Sequence, residues 1–297
     1  NLDKAITTWS NIHREDNPEA YAAAQFNLGL TYKAQGNLDK AIAAWSNIRR
    51  EDNPKTYARA QFNLGLTYED QGNLDKAIAA WSNIRREDNP EAYAAAQFSL
   101  GLTYEDQGNL DKAITTWSNI HREDNPEAYA AAQFNLGLTY KAQGEPEQAI
   151  TTWSNIHRED NPKTYAWAQF SLGVAYKDQG NLDKAITTWS NIHREDNPEA
   201  YAAAQFNLGL TYKAQGEPEQ AITTWSNIHR EDNPKTYAWA QFNLGIIYKD
   251  LAYKDKDEDQ RKLDEAIAAW SNIHREDNPE TYAWAQFNLG IIYKDLA

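Results

Sequence analysis

Asn1-Leu2-Asp3-Lys4-Ala5-Ile6-Thr7-Thr8-Trp9-Ser10-Asn11-Ile12-His13-Arg14-Glu15-Asp16-Asn17-Pro18, continued by Glu19-Ala20-Tyr21-Ala22-Ala23-Ala24-Gln25-Phe26-Asn27-Leu28-Gly29-Leu30-Thr31-Tyr32-Lys33-Ala34-Gln35-Gly36, is a 36-residue block that recurs eight times. The copies begin at Asn1, Asn37, Asn73, Asn109, Glu145, Asn181, Glu217 and Lys262, and the first, fourth and sixth are identical letter for letter. A fixed period of this size marks a solenoid, in which each unit buries its apolar face only against its neighbours. The period breaks once, at a nine-residue insert from Tyr253 to Arg261. An uninterrupted array of this kind predicts one elongated domain over residues 1–297 rather than two globular ones.

Within the second copy, Leu38, Ala41, Ile42, Trp45 and Ile48 follow the spacing of an amphipathic helix. Asn37 suits its N-cap, and Arg49 and Arg50 are expected to close it, where cations meet the negative end of the helix dipole. Glu51-Asp52-Asn53-Pro54 stops the chain and restarts it. The residue before a proline avoids helical dihedrals, while proline itself suits the first position of a new helix. A second helix is predicted from about Pro54 to Gln71, carrying Tyr57, Ala60, Phe62, Leu64 and Tyr68 and ended by Gly72. Each copy is thus an antiparallel helical hairpin. Small residues such as Gly65 and Ala41 let helix backbones approach closely.

Composition excludes several classes of function. The net charge is −14, with Lys and Arg spread through every copy, so a phosphate-neutralising track for nucleic acid is not expected. No apolar run approaches a membrane span and no signal peptide is visible. The chain has no cysteine, which removes disulfides, thiolate nucleophiles and cysteine-based zinc sites but does not fix the compartment. It has no methionine either, so residue 1 is not an initiator, and the sequence reads as a processed product or a piece of something longer.

Ala24-Gln25-Phe26-Asn27-Leu28-Gly29-Leu30-Thr31-Tyr32, then Gly36 and Ala41-x-x-x-Trp45, resembles the tetratricopeptide repeat. The likeness recurs in every copy. It departs from the family pattern in three ways: Gln25 replaces the usual tryptophan, the period is 36 rather than 34, and the proline falls one place late. The aromatic at Trp45 and the Ala-Gln pair are also similar to the suppressor-of-lin-like repeats, whose glycine-containing insertion is missing here. The resemblance implies an all-α, right-handed superhelical solenoid of stacked antiparallel hairpins. In its frame the chain opens on a second-type helix and closes on a first-type helix, so both ends should expose apolar surface, and either the natural chain continues or molecules stack end to end.

The resemblance also implies a concave groove lined by the longer helices and holding a protein or peptide partner. Its positions correspond to Ala23, Phe26, Asn27, Leu30, Lys33 and Ala34. A carboxamide can both donate to and accept from a bound backbone. Candidate clamps are therefore Asn27, Asn63, Asn135, Asn207, Asn243 and Asn288, with Ser99 and Ser171 in the remaining copies. Phe134, Phe206 and Phe242 would supply an apolar strip. The Ala23 position varies to Arg59, Trp167, Trp239 and Trp284, side chains suited either to an interface or to a gap between helices. The family's carboxylate clamp is not expected, because Phe stands where one of its lysines would be.

Reactive residues here come in equivalent copies, whereas a catalytic centre is singular, so no enzyme activity and no cofactor are expected. His13, His121, His157, His193, His229 and His274 share one repeat position and would stack about 10 Å apart, too far to share a metal ion. Asp255, Asp257 and Asp259 have calcium-loop spacing but lack the turn glycine and the bidentate glutamate. The Glu15-Asp16 pair and its copies read as dipole partners of the next helix. The leading expectation is a protein-interaction scaffold. A sensor arm of a larger multidomain protein and a self-stacking spacer, associating end to end, are the alternatives.

Overall fold

A computed structural model describes residues 2–254 and 260–296. The regular elements among them are all helices, in chain order α1 (Leu2–Ser10), α2 (Pro18–Ala34), α3 (Leu38–Ser46), α4 (Pro54–Asp70), α5 (Leu74–Ser82), α6 (Pro90–Asp106), α7 (Leu110–Ser118), α8 (Pro126–Ala142), α9 (Pro146–Ser154), α10 (Pro162–Asp178), α11 (Leu182–Ser190), α12 (Pro198–Ala214), α13 (Pro218–Ser226), α14 (Pro234–Lys254), α15 (Gln260–Ser271) and α16 (Pro279–Asp295). Short and long helices alternate, each pair forming a hairpin, as the periodicity predicts. The chain divides into two compact units, residues 1–155 and 156–297.

The Asn-Pro dipeptide starts every long helix. At α4, Asn53 is extended (φ −165°, ψ 108°) and its side-chain oxygen accepts the Thr56 N–H at 2.9 Å. Pro54 takes the first helical position, where no N–H partner is needed. The end is equally local. Gly72 at φ +71° lets its N–H reach the Glu69 carbonyl at 2.8 Å while the Asn73 N–H reaches Tyr68 at 2.8 Å. This is the Schellman closure that satisfies the last carbonyls.

The short helices end sooner than their arginines suggest. α3 stops at Ser46, and Arg49 and Arg50 lie in the following turn. The cause is Ile48, which turns inward beneath Trp45, its N–H donating to the Trp45 carbonyl at 3.2 Å. An inward Ile48 takes the backbone off the helix axis. The freed arginines acquire other partners.

One joint recurs between successive hairpins. Trp45, Trp81, Trp117, Trp153, Trp189, Trp225 and Trp270 are fully buried, each with its ring over a glycine of the preceding long helix, Gly29 through Gly245. A Cβ on any of these glycines would lie inside the indole ring. Around Trp45 gather Ala22, Phe26, Ala41, Ile48, Ala60 and Leu64. Each large apolar side chain so buried contributes roughly 1.5–3 kcal/mol, which is what holds hairpins that could not fold alone.

The insert lengthens two helices. Where earlier copies place glycine at positive φ, such as Gly216 at +79°, the seventh has Ala252, and α14 runs on to Lys254. Ala252 and Leu263, which flank the insert, are fully buried in the same cluster as Trp270, whereas Tyr253, Gln260 and Arg261 of the insert itself are exposed. The Asp255, Asp257 and Asp259 spacing lies outside the described residues.

Candidate functional site

Within residues 1–155, each of α2, α4, α6 and α8 touches the next, and within 156–297 the same holds for α10, α12, α14 and α16. Among the described residues no short helix touches another short helix. The long helices therefore lie side by side and present one continuous face in each unit, carrying the positions singled out from sequence.

On that face the asparagines are partly committed. Asn63 donates its side-chain N–H to the Arg59 carbonyl at 2.9 Å, Asn207 to Ala203 at 3.0 Å, Asn243 to Trp239 at 2.9 Å and Asn288 to Trp284 at 2.8 Å. One turn of helix thus fixes the amide and leaves its oxygen and second N–H for another partner. Asn27 is exposed, and Asn135 is half-buried like Ser99 and Ser171. Beneath them, Thr31, Thr67, Thr103, Thr139 and Thr211 each donate to the carbonyl one turn earlier, at 2.8–3.0 Å.

The variable position behaves differently in each copy. The Arg59 guanidinium lies over the Phe26 ring at 4.3 Å and buries it. Trp239 takes the equivalent place over Phe206 at 5.8 Å, with the Lys235 ammonium 5.0 Å from its own ring, and remains 37% exposed. Trp167 packs edge-on against Phe170 of its own helix at 5.6 Å and is half-buried. Trp284 is edge-on to Phe287 at 5.9 Å and 55% exposed. Phe134, Phe206 and Phe242 are half-buried, and the apolar atoms that reach solvent include Leu30 and Leu138.

Arg59 and Phe26 form one wall of a cavity of about 510 Å³, with Leu30, Lys55, Phe62 and Asn63. Lys55 was not singled out from sequence. Its signal is its spacing, one helical turn before Arg59.

Towards the C-terminal ends of α4 and α6 the face turns acidic. Burial pushes the Glu69 carboxyl above the usual carboxylate range, helped by Asp70 and Asp106. Glu105 is raised for the same reason, partly offset by the Thr139 hydroxyl, which lies 3.4 Å away and shares its one proton with the Asn135 carbonyl at 3.0 Å. Lys33 meets Asp70 at 3.6 Å. Carboxylates here also face the negative ends of two helix dipoles, so their charge is poorly compensated.

The acidic pair at each turn has a role that dipole arguments alone miss. Arg14 pairs with Asp52 (3.1 Å), Arg50 with Asp88 (3.0 Å), Arg86 with Asp124 (2.6 Å), Arg158 with Asp196 (2.7 Å), Arg194 with Asp232 (3.1 Å) and Arg230 with Asp277 (2.8 Å). In every case an arginine crosses to the aspartate of the next copy, whose carboxylate is almost fully buried. Several also cap carbonyls of the next short helix's end, as Arg50 does on Asn83 at 2.7 Å. The histidines of this turn are exposed, and His229 contacts Arg194 at 2.9 Å. Among the described residues no group of three or more His, Asp or Glu side chains is placed to hold a metal ion, and no helix is long and apolar enough to cross a membrane.

A family model described as tetratricopeptide repeat matches residues 26–84, 62–127, 134–200 and 170–235. Among solved structures, the C-terminal part of a repeat-containing protein from Cytophaga hutchinsonii superposes with TM-score 0.56 at 17% identity, over 86% of this chain and 95% of that one. Pseudomonas aeruginosa PilF gives 0.52 at 16% identity, over 76% and 99%. MamA gives 0.42 at 25% identity, over 54% and 90%. Among curated proteins no sequence matches.

Proposed function

Because this chain belongs to the tetratricopeptide repeat family, whose repeats generally mediate protein–protein interaction, we propose that it is a scaffold binding a peptide segment of a partner on its long-helix face. The observation that carries this reading is the pairing of Trp239 with Asn243. An indole held over Phe206 yet 37% exposed adjoins a carboxamide with its oxygen and one N–H still available. Together they supply an apolar anchor point and a clamp for a peptide group, the combination an interface hot spot uses.

In the first unit the partner segment would bring a bulky apolar side chain to the cavity between Phe26 and Phe62, and a basic residue to Glu69 and Glu105. The raised carboxyls support that second half, because a cation relieves the mutual repulsion of Glu69, Asp70 and Asp106. The fold is typically a non-catalytic scaffold, which fits this role.

Affinity capture from the native source tests the reading. The wild type is compared with a chain carrying Ala at Asn135, Asn207, Asn243 and Asn288, and with Trp239→Ala. A protein held by the wild type and lost from the variants supports face recognition and identifies its ligand. Equal retention by all three removes the face from the mechanism.

A further inference from the structure

Each long helix carries a tyrosine near its C-terminal end, and at five junctions with the next short helix a lysine covers its ring. The ammonium of Lys40 lies 5.5 Å from the Tyr32 ring centroid, Lys76 5.4 Å from Tyr68, Lys112 5.3 Å from Tyr104 and Lys184 5.3 Å from Tyr176. The eighth copy has Glu265 where those copies have lysine. Yet Lys262, three residues earlier, takes the same place at 5.1 Å from Tyr248. The negative face of the ring is what draws a cation to this place.

Two junctions differ. The fifth and seventh copies open on Glu-Pro-Glu-Gln instead of Asn-Leu-Asp-Lys, so Gln148 and Gln220 stand where the lysine was. Among the described residues no cation lies over the Tyr140 or Tyr212 ring. The turn itself is unchanged. The Glu217 N–H donates to the Tyr212 carbonyl at 2.9 Å, as the Asn181 N–H does to Tyr176 at 2.8 Å. Gly216 has φ +79° and Gly180 +75°. Tyr212, like Tyr176, is half-buried against the core. Beside it, one acid and one base have been exchanged for two acids, Glu217 and Glu219. Tyr212, Glu219, Gln220, Thr223 and Thr224 line an open cavity of about 330 Å³ at this junction.

We infer that the Tyr212 junction is a docking site for a lysine side chain of a partner protein. The incoming ammonium takes the place over the ring that Lys184 holds over Tyr176, with the Glu219 carboxylate of the same cavity as its counter-ion. Ring chemistry favours a cation, and five junctions of this same chain show that a lysine ammonium fits the place. An apolar side chain would cover the ring and leave both carboxylates without a base. The Tyr140–Gln148 junction of the first unit has the same sequence and takes the same ligand. Both sites lie where a long helix meets the next short one, so they are independent of what the long-helix face binds.

NMR of the 297-residue chain with isotope-labelled tyrosine rings tests the inference, during titration with the peptide acetyl-Gly-Lys-Gly-amide. The wild type is expected to show saturable shifts at Tyr140 and Tyr212 and none at the lysine-covered Tyr176. The same peptide with norleucine in place of lysine should shift none of them. Gln220→Lys introduces the residue that Lys184 already is in the sixth copy, so its fold is retained. It should weaken binding at Tyr212 by about fivefold or more and leave Tyr140 unchanged. Glu219→Gln, which keeps the ring open, should weaken it by about twofold or more. No saturable shift at Tyr212, equal shifts at Tyr176 and Tyr212, or an equal response to the norleucine peptide would each overturn the inference. So would an unchanged response in Gln220→Lys, or tighter binding of n-butylammonium than of the peptide, which would assign the site to a free amine.

Discussion

The indole N–H of Trp153 donates to the carbonyl oxygen of Phe134 at 3.1 Å, across the one-residue gap in side chains left by Gly137. The carbonyl belongs to the long helix of one hairpin and the indole to the short helix that follows. A polar atom on a fully buried ring is thereby satisfied at the centre of the joint, where leaving it unpaired would cost about 1–3 kcal/mol. The glycine is required by this contact and not by its dihedrals, which are helical.

Gly137→Ala should therefore destabilise the fold by about 1–3 kcal/mol, because its methyl can enter only by displacing a ring that is packed on all sides. Gly290→Ala is the matched control. With open space around it, the substitution should stabilise by about 0.5–1 kcal/mol through helix propensity alone. Urea unfolding at low protein concentration reads both. Equal effects at the two positions would show that the indole does not set the glycine requirement.

The arginine ladder makes a second claim on stability. Asp196 has a side chain 5% exposed and receives Arg158 Nε at 2.7 Å and Nη2 at 2.9 Å. Asp196→Ala should cost about 1–3 kcal/mol, moderated because the arginine can return to water. A double-mutant cycle with Arg158→Ala measures the coupling, and additive losses would mean the pair is geometric but idle.

Ala252 offers a third test, at the insert. It is fully buried in a helix that passes the point where glycine ends the earlier copies. Ala252→Gly should cost about 1 kcal/mol or more from propensity and the lost methyl. Helicity by circular dichroism should fall with it if the glycine shortens α14.

Much of this was legible in the sequence, because the signals are local and repeated eight times. Asn53-Pro54 and Gly72 mark helix ends through dihedral and capping preferences that need no tertiary context. The hairpins follow. Partners across the joint were not legible: nothing in Arg158 or Asp196 alone shows that they meet, since 38 residues separate them and only the stacking register joins them. The early end of α3 was hidden for a related reason, since Ile48 fits the helical spacing as well as it fits an inward turn. At the candidate face the residue types could be read, but their state could not. Arg59 covers Phe26 while Trp284 stands free of such a partner, a difference set by packing against the neighbouring helix.

Trp239→Ala separates recognition from stability. A ring 37% exposed, resting on Phe206 and Lys235, should cost no more than about 1 kcal/mol to unfolding when removed. If the variant instead loses several kcal/mol, Trp239 is a gap-filler between α12 and α14 and its exposure has no bearing on binding.

Glu105 gives the pH dependence of the first unit. Its folded-state carboxyl is raised by burial, so the proton is held more tightly in the native state than in the unfolded chain. Stability from such a group is fully present below the unfolded value, near pH 4, and is lost as pH rises through the raised folded value. At neutral pH the native state therefore carries an uncompensated charge that Glu105→Gln removes, while the amide oxygen can still accept from Thr139. The variant should melt at a higher temperature than the wild type at pH 7, and the difference should close near pH 4. Addition of a lysine-rich peptide should narrow the same gap at pH 7 by supplying the missing cation. A gap that is constant across pH would mean that Glu105 acts through packing alone.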